Sequence, residues 1–542
     1  MTDYRSTMAG LGRPLPDEPV DVAVLLAGLP RPEFSVFVAD AADRAAYRQL
    51  RREVFVNEQA MFGRHDESDD VDDDPRAVVL VARARGVSGR DGVLGGVRLA
   101  PATSPDLGWW RGSRLVVRST SRSAAQSASP SLSHSGSRSM SRSGGRSGRA
   151  EIRGVGAALV RAACAHAEAA GVLRFEAAVQ VGNESFFTRL GWNQVGWTVV
   201  AGRPHLLMRW PVDRVARLVD GTKTPLGALL AGFGGAGFAG TGLGGAAFGG
   251  SGLGGSALGG AGFIGDDAAP VPGSDLVAAC DAIVPAMVER DPEWAGWCGV
   301  LVNLNDLAAM GATPVGLLDA VGARDAVSAA RILRGVRAAS EAYGIPVLGG
   351  HTQLGVTGAL AVTALGRTTA PIPGGGGRPG DDVRLLVDTA GGWRPGYGGR
   401  QWDSTSFRRG ADLRTMVNAL SRAERPPAAA KDVSMAGIIG TLGMMAEASG
   451  CAAELTVADI PRPGAARSAA RGGPVPMGDW LTCFPGFALL TADRPGGVPP
   501  AARPAVSARC GRLLAGDGVR LRWPDGETTV ALAGPVTGLG PA

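Results

Sequence analysis

The sequence predicts a chain of two globular parts, of the α/β and α+β classes. Three observations carry this reading. Residues 33–213 alternate short apolar runs with helix-spaced ones. Residues 264–542 do so again, with aspartates and glycine pairs at the ends of the apolar runs. Between them, residues 226–263 are a glycine-rich repeat, and no charge occurs from Thr224 to Gly265. A chain of 542 residues is long enough for at least two buried cores.

Charge excludes one class of partner. The net charge is +5, but residues 118–149 hold six arginines and no acid, and without those six the chain carries −1. The basic character belongs to one Ser/Arg-rich insertion, predicted to be disordered. A nucleic-acid-binding face is therefore not expected. Of the 55 basic residues only Lys223 and Lys431 are lysine, a skew that fits genome composition. The six cysteines form no CxxC pair, as in reduced proteins of the cytoplasm. No apolar leader opens the chain, and a cytoplasmic location is expected. The glycine-rich stretch is long enough for a bilayer. Glycine costs a helix about 1 kcal/mol per residue relative to alanine, so a flexible linker is expected and membrane contact is not. Its r.m.s. span would be on the order of 30–37 Å.

Each element of the first part has its own signature. Residues 42–62 form an amphipathic helix. AVVLVARA and GVLGGVRLAP read as a strand pair, and GSRLVV at 112–117 as a further strand. After the insertion come Gly154 and Gly156, then a helix over 153–171 with apolar residues at Ala157, Val160, Ala163, Cys164 and Ala167. A glycine turn at a helix start serves simple helix entry. It also presents unpaired N–H groups and the positive end of the dipole, as a pyrophosphate site requires. FEAAVQ at 175–180 is a strand, and NESFFTRLGW at 183–192 a short helix stopped by glycine. The run DESDDVDDD at 66–74 has seven acids in nine residues. It reads as a solvated loop, or as an attractor for a cationic amine.

This order of elements, with the Gly turn and NESFFTRLGW, resembles the GNAT N-acetyltransferase superfamily over about 180 residues. RREVFVNEQ is similar to the first helix of one GNAT branch. The resemblance implies a mixed-sheet domain that transfers acetyl from acetyl-CoA to an amine. Amides near Val116 and Val117 would hold the thioester and pantetheine arm. Arg153, Gly154, Val155, Gly156 and Ala157 would cradle the pyrophosphate, and Asn183 would contact the CoA arm. Phe187 stands where the family often has a tyrosine acid, and phenylalanine donates no proton. Glu151 replaces the usual Arg or Gln at the loop entry. The general base is not identified: Glu53, Glu58 and His205 are candidates, each with a plain structural alternative.

In the second part aspartates stand at the ends of apolar runs and turns. Asp266 and Asp267 follow a glycine turn in IGDDAAPV. Asp281 ends the apolar run LVAACDAI, and Asn305 and Asp306 are expected near a helix start in VNLNDLAAMGATPVGLL. IPVLGGHTQ reads as a strand entering a Gly-Gly turn, and Asp432 precedes a glycine-containing helix in AAKDVSMAGIIG. One such aspartate alone reads as a helix cap or turn residue. Five of them, with no Cys/His cluster, suggest a hard cation such as magnesium held with substrate phosphates.

This ordered set resembles the AIR synthase-like superfamily, which includes thiamine-monophosphate kinase and selenophosphate synthetase. WLTCFPGFALLTADRP at 480–495 matches a late strand pair of that family. The resemblance implies a two-subdomain fold that binds ATP at a dimer interface. Mg²⁺ would bridge phosphates to Asp266, Asp267, Asp281, Asp306 and Asp432. Asn305 would join the nucleotide site, and Gly349, Gly350, His351 and Thr352 would line the phosphate path. Phosphoryl transfer to a small metabolite is the implied chemistry, by a homodimer formed through this half. No cysteine-plus-lysine motif precedes residue 264, which disfavours selenophosphate synthesis. The pair of domains resembles a bacterial GNAT and AIR synthase-like fusion associated with nitrogen starvation. The alternative is a protein that senses or assembles around acetyl-CoA and nucleotide without turnover.

Overall fold

The computed structural model describes residues 33–63, 67–87, 92–118, 152–231, 263, 265–464, 475–497 and 499–541. The predicted insertion beyond Arg118, Glu151, and the glycine-rich stretch between Ala231 and Phe263 lie outside them. The chain divides into two units, Met1–Val212 and Asp213–Ala542.

The first unit is built on one seven-stranded sheet. Its strands are β1 (Phe34–Val38), β2 (Val78–Ala84), β3 (Val93–Pro101), β4 (Trp109–Val117), β5 (Arg174–Gln180), β6 (Asn193–Val200) and β7 (Arg203–Trp210), in the order β1-β2-β3-β4-β5-β7-β6. Its helices are α1 (Ala41–Arg51), α2 (Val155–Ala169) and α3 (Glu184–Arg189). Successive strand residues face opposite sides, so the sheet buries two cores. Leu80, Ala82 and Ala84 of β2 pack with Val155, Leu159 and Val160 of α2. Val79 and Val81 pack with Tyr47 and Leu50 of α1. The expected helix over 42–62 changes character at Arg52, and Arg52–Glu58 forms a π-helical turn.

β4 and β5 form a parallel pair, and they part early. Their register runs from Trp109 opposite Arg174 to Gly112 opposite Ala177. Ser113–Val117 then pairs with β3 alone. A bulge falls at this point: Val97 faces both Arg114 and Leu115, and Arg114 has φ +53°.

The acidic run is not a solvated loop. Arg51 bonds Glu67 and, at 2.5 Å, Asp72. Arg98 reaches Asp69 and Asp72 at 2.5 and 2.7 Å, and Arg114 reaches Asp69 at 2.9 Å. Arg51 and Arg98 are 1% and 2% exposed. Two arginines this deeply buried need carboxylates beside them, and the run supplies them.

The second unit begins earlier than the sequence suggested. Helices α4 (Arg214–Thr222) and α5 (Leu226–Leu230) fold with it. The stretch read as linker thus starts inside a helix whose Gly227 N–H donates to Thr537 O at 2.7 Å. Two sheets follow. The first joins β8 (Ala269–Pro270), β9 (Leu276–Ala282), β10 (Thr313–Ala323), β11 (Val347–Leu354) and β12 (Ala359–Arg367), in the order β11-β10-β12-β9-β8. Next in the chain are β13 (Asp382–Val387) and a short ribbon, β14 (Gly392–Trp393) with β15 (Trp402–Asp403). β16 (Ala429–Asp432), β17 (Ala452–Thr456), β18 (Ala488–Asp493), β19 (Val506–Leu514), β20 (Val519–Arg522) and β21 (Thr528–Leu532) complete a seven-stranded sheet, order β16-β18-β13-β19-β17-β20-β21. The helices are α6 (Pro285–Arg290), α7 (Pro292–Ala309), α8 (Ala326–Tyr343), α9 (Gly410–Val417), α10 (Gly437–Ala448) and α11 (Met477–Thr482). α7 is apolar on every side, and 16 of its 18 residues are buried, as expected of a helix enclosed by other elements. It packs on β9 and β12 of one sheet and on β16 and β18 of the other.

Candidate functional site

The enclosed position of α7 decides where the site forms. Asn305 and Asp306 fall in its last turns, not at a helix start as expected. The reason is the run PEWAGWCGVLVNL, which is apolar apart from Glu293 and Asn303 and so extends the helix back to Pro292 without showing a period. A carboxylate at a helix C-terminus meets the negative end of the dipole. Asp306 is also 5% exposed.

Two further aspartates converge on it. Asp432 ends β16, the edge strand beside α7, and Asp267 follows the Gly265 turn, where φ is +70°. One ligand oxygen from each of Asp267, Asp306 and Asp432 lies within 4.8 Å of the others. Lys431 binds this group: its ammonium is 2.6 Å from Asp267 Oδ1 and donates to Gly265 O at 3.1 Å. The Asp432 N–H donates to Asp267 Oδ2 at 2.8 Å. Asp432 Oδ2 and both Asp266 carboxylate oxygens are buried without a hydrogen-bond partner among the described residues.

The electrostatics follow from one lysine among several acids. Burial, and then repulsion by Asp432, Asp281 and Asp267, hold the Asp306 carboxyl well above the usual range. Burial, then Asp267 and Asp281, do the same to Asp432. Burial raises Asp266 to about 7, and raises Asp281 as well. Burial alone would lower Lys431, but Asp267, Asp266 and Asp432 hold it above its ordinary value. Three oxygens at coordination spacing, carrying negative charge that the protein leaves unmatched, fit a hard divalent cation such as Mg²⁺.

Two family descriptions match this half of the chain: AIR synthase related protein, N-terminal domain, over residues 265–368, and the C-terminal domain over 403–515. Residues 265–515 belong to the AIR synthase related family. An uncharacterized protein of Synechocystis sp. is 34% identical over 237 residues, 43% of this chain and 70% of that protein. An uncharacterized Methanocaldococcus jannaschii protein is 31% identical over 37% of this chain and 60% of its own length. Thiamine-monophosphate kinase of Synechococcus elongatus is 38% identical over 112 residues, 19% of this chain and 34% of that enzyme. The crystal structure of thiamine monophosphate kinase from Aquifex aeolicus is 21% identical, covers 49% of this chain and 92% of its own, and has a TM-score of 0.38.

The other predicted residues of the AIR synthase-like unit are placed as follows. Asp281 and Asp266 lie beside the three-aspartate group and outside it. Asn305 Nδ2 donates to Gly486 O at 2.9 Å, tying α7 to the loop before β18, and its Oδ1 is buried without a partner. Gly349, Gly350, His351 and Thr352 are not a turn: they run within the exposed edge strand β11. Their glycines permit close strand approach, since a Cβ at 350 would lie 2.5 Å from Asp319 O. Asp281, Val362, Asp319 and Gly350 form one row across β9, β12, β10 and β11. Gly350 is thus three strand spacings, about 14 Å, from Asp281. One chain alone does not bring this stretch to the aspartates. Lys431 was missed; its signal was its being one of only two lysines.

In the first unit the structure unites Val117 and Gly156. A Cβ on Gly156 would meet Val117 Cγ2 at 3.6 Å and the Phe186 ring at 3.5 Å. Val116 is buried opposite Gly96. Gly154 begins α2 with φ +82°; Arg153 and Gly154 are exposed, Val155 is buried, and Ala157 lies one turn on. Asn183 precedes α3. Phe187 is a core residue packed edge-on against Trp192 and Phe186. His205 is buried, with Nδ1 donating to Arg203 O at 3.0 Å.

Proposed function

We propose that the AIR synthase-like unit binds ATP with Mg²⁺ and transfers its phosphoryl group to a small metabolite. The observation that carries this is the buried group of Asp267, Asp306 and Asp432, held with unmatched charge by a fold of this family. The kinase names among the relatives support it. Mg²⁺, when bound, would neutralise phosphate charge. Lys431 fixes Asp267 in place. The Asp432 N–H orients the same carboxylate from the other side. β11 exposes every residue, with Leu348 58% and Leu354 52% open. A second copy pairing there would cover these residues and bring Gly349–Thr352 to a shared site. Leu348→Glu should then yield a monomer in light scattering. ATP with Mg²⁺ at 100 times its dissociation constant should raise this unit's stability by about 2.7 kcal/mol; no shift in calorimetry would end the proposal.

For the first unit we propose acetyl-CoA binding and acetyl transfer to an amine. What supports it is the parting of β4 from β5 after Gly112, which leaves one edge of Ser113–Val117 unpaired by β5, next to the start of α2. Gly156→Glu should abolish CoA binding by filling and charging that start; retained affinity would remove the site. The core position of Phe187 favours the second reading, binding without turnover. Release of free CoA on addition of amines decides between them.

A further inference from the structure

α10 covers one face of the seven-stranded sheet, where its Gly443 packs on Val519 and Leu532. Side chains alternate along a strand, so Arg520, next to Val519, points to the opposite face. On that face Glu454 stands opposite both Arg512 and Arg520, and Thr456 opposite Arg522. A cleft of about 520 Å³ opens there, lined by Arg509, Arg512, Arg522, Glu454, Thr456 and Asp459 around Gly511. Its volume is that of a small-molecule site. β19, which carries two of these arginines, is three strands from β16 and Asp432. That is about 14 Å, so the cleft is separate from the aspartate group.

A bulge gathers the arginines. Arg509 and Arg512 are three residues apart, and on a regular strand they would face opposite sides. Instead the register slips: Val383 faces Gly511, and Arg384 faces Arg509. Cys510 is the extra residue, and it is buried. Arg509 thereby turns to the face that carries Arg512. Acids of the fold then hold the side chains in place. Glu454, itself buried, accepts two bonds of 2.9 Å from Arg522 and one of 3.2 Å from Arg512 Nε. Asp382 holds Arg509 through Nε at 2.8 Å. One carboxylate thus serves two guanidiniums. No other acid among the described residues pairs with Arg509 or Arg512, whose side chains stay 61% and 48% exposed. An arginine anchored by one edge of its planar fork keeps further donors for an oxyanion. Thr456 and Asp459 add acceptors suited to hydroxyl or amine hydrogens.

We propose that this cleft binds a small phosphate ester that also carries a hydroxyl or amine group. The phosphate lies against Arg509 and Arg512, and the rest of the molecule meets Thr456 and Asp459. The site stands independently of the Mg·ATP reading. The test titrates the full chain, free of divalent metal, with glycerol 3-phosphate in a calorimeter. Two charge-assisted contacts predict a dissociation constant of about 1 mM or tighter. Arg512→Met should weaken binding about tenfold or more. Arg522 still covers Glu454 in that variant, so its melting point should stay near wild type. Arg509→Lys keeps the charge and loses the fork; it should weaken binding several-fold, and it carries the test should Arg512→Met fail to fold. Inorganic phosphate, which lacks the hydroxyls, should bind more weakly than the ester. No saturable binding by wild type would overturn the proposal. So would wild-type affinity in both variants, which would place the ester elsewhere on the chain. Inorganic phosphate binding as tightly as the ester would overturn the part assigned to Thr456 and Asp459.

Discussion

The molecule holds two groups of largely buried carboxylates, and they behave in opposite ways. In the first unit Glu67, Asp69 and Asp72 face Arg51, Arg98 and Arg114. Burial would raise Asp69 and Asp72, but hydrogen bonds from Arg98 and Arg51 hold them below the usual range. In the second unit Asp266, Asp267, Asp281, Asp306 and Asp432 face one engaged lysine, and four of the five are pushed up. Burial is common to both; the count of fixed cations differs. Where arginines match the acids the group is a structural clasp. Where they do not, charge remains for a ligand to satisfy.

Removing a matched cation should be the most damaging change. Arg51→Met leaves Glu67 and Asp72 buried without it, at a cost of about 3–5 kcal/mol. Calorimetry should show the first unit's transition falling steeply and the second unchanged. A mild effect would mean that the clasp is not structural. Removing an unmatched acid should do the reverse. Asp306→Asn should lower Mn²⁺ affinity by about 10–100-fold, while the metal-free second unit melts no earlier than wild type, having lost a repelled charge. Unchanged Mn²⁺ affinity would take Asp306 out of the metal site.

The pH dependence should separate the two groups by sign. Asp69 and Asp72 have lowered folded values, so their stabilisation is present above about pH 4 and is lost as pH falls. The raised acids of the second unit favour the folded state when protonated. Their contribution is present below about pH 4 and is lost as pH rises towards about 7 for Asp266. Between these limits the metal-free second unit should weaken relative to the first, and saturating Mg²⁺ should cancel the trend. Parallel pH profiles for the two transitions would contradict the contrast. The smallest effect is expected at Asp69→Asn, about 1 kcal/mol or less: its side chain is 37% exposed, and Arg98 keeps Asp72. A larger loss would make Asp69 a pillar of the clasp.

The local patterns were legible from the sequence. Apolar and helix-period runs marked strands at 77–84, 92–101 and 175–180 and a helix over 153–171, where the structure has strands at 78–84, 93–101 and 174–180 and a helix at 155–169. The order of GDDAA, NDLAAMGA and KDVS marked the family fold and named the three aspartates that converge. These signals are short-range, so one stretch of chain carries each of them whole. Tertiary structure decided the rest. DESDDVDDD looked like surface because a run of acids shows none of the arginines, 16 to 47 residues away, that bury it. VNLND looked like a helix start because a helix apolar on every side has no period to mark its true beginning. GGHT looked like a turn because nothing local shows Asp319 standing beside Gly350. In each case the sequence determined which groups exist, and the fold determined which charges they meet, since burial and pairing belong to residues distant in the chain.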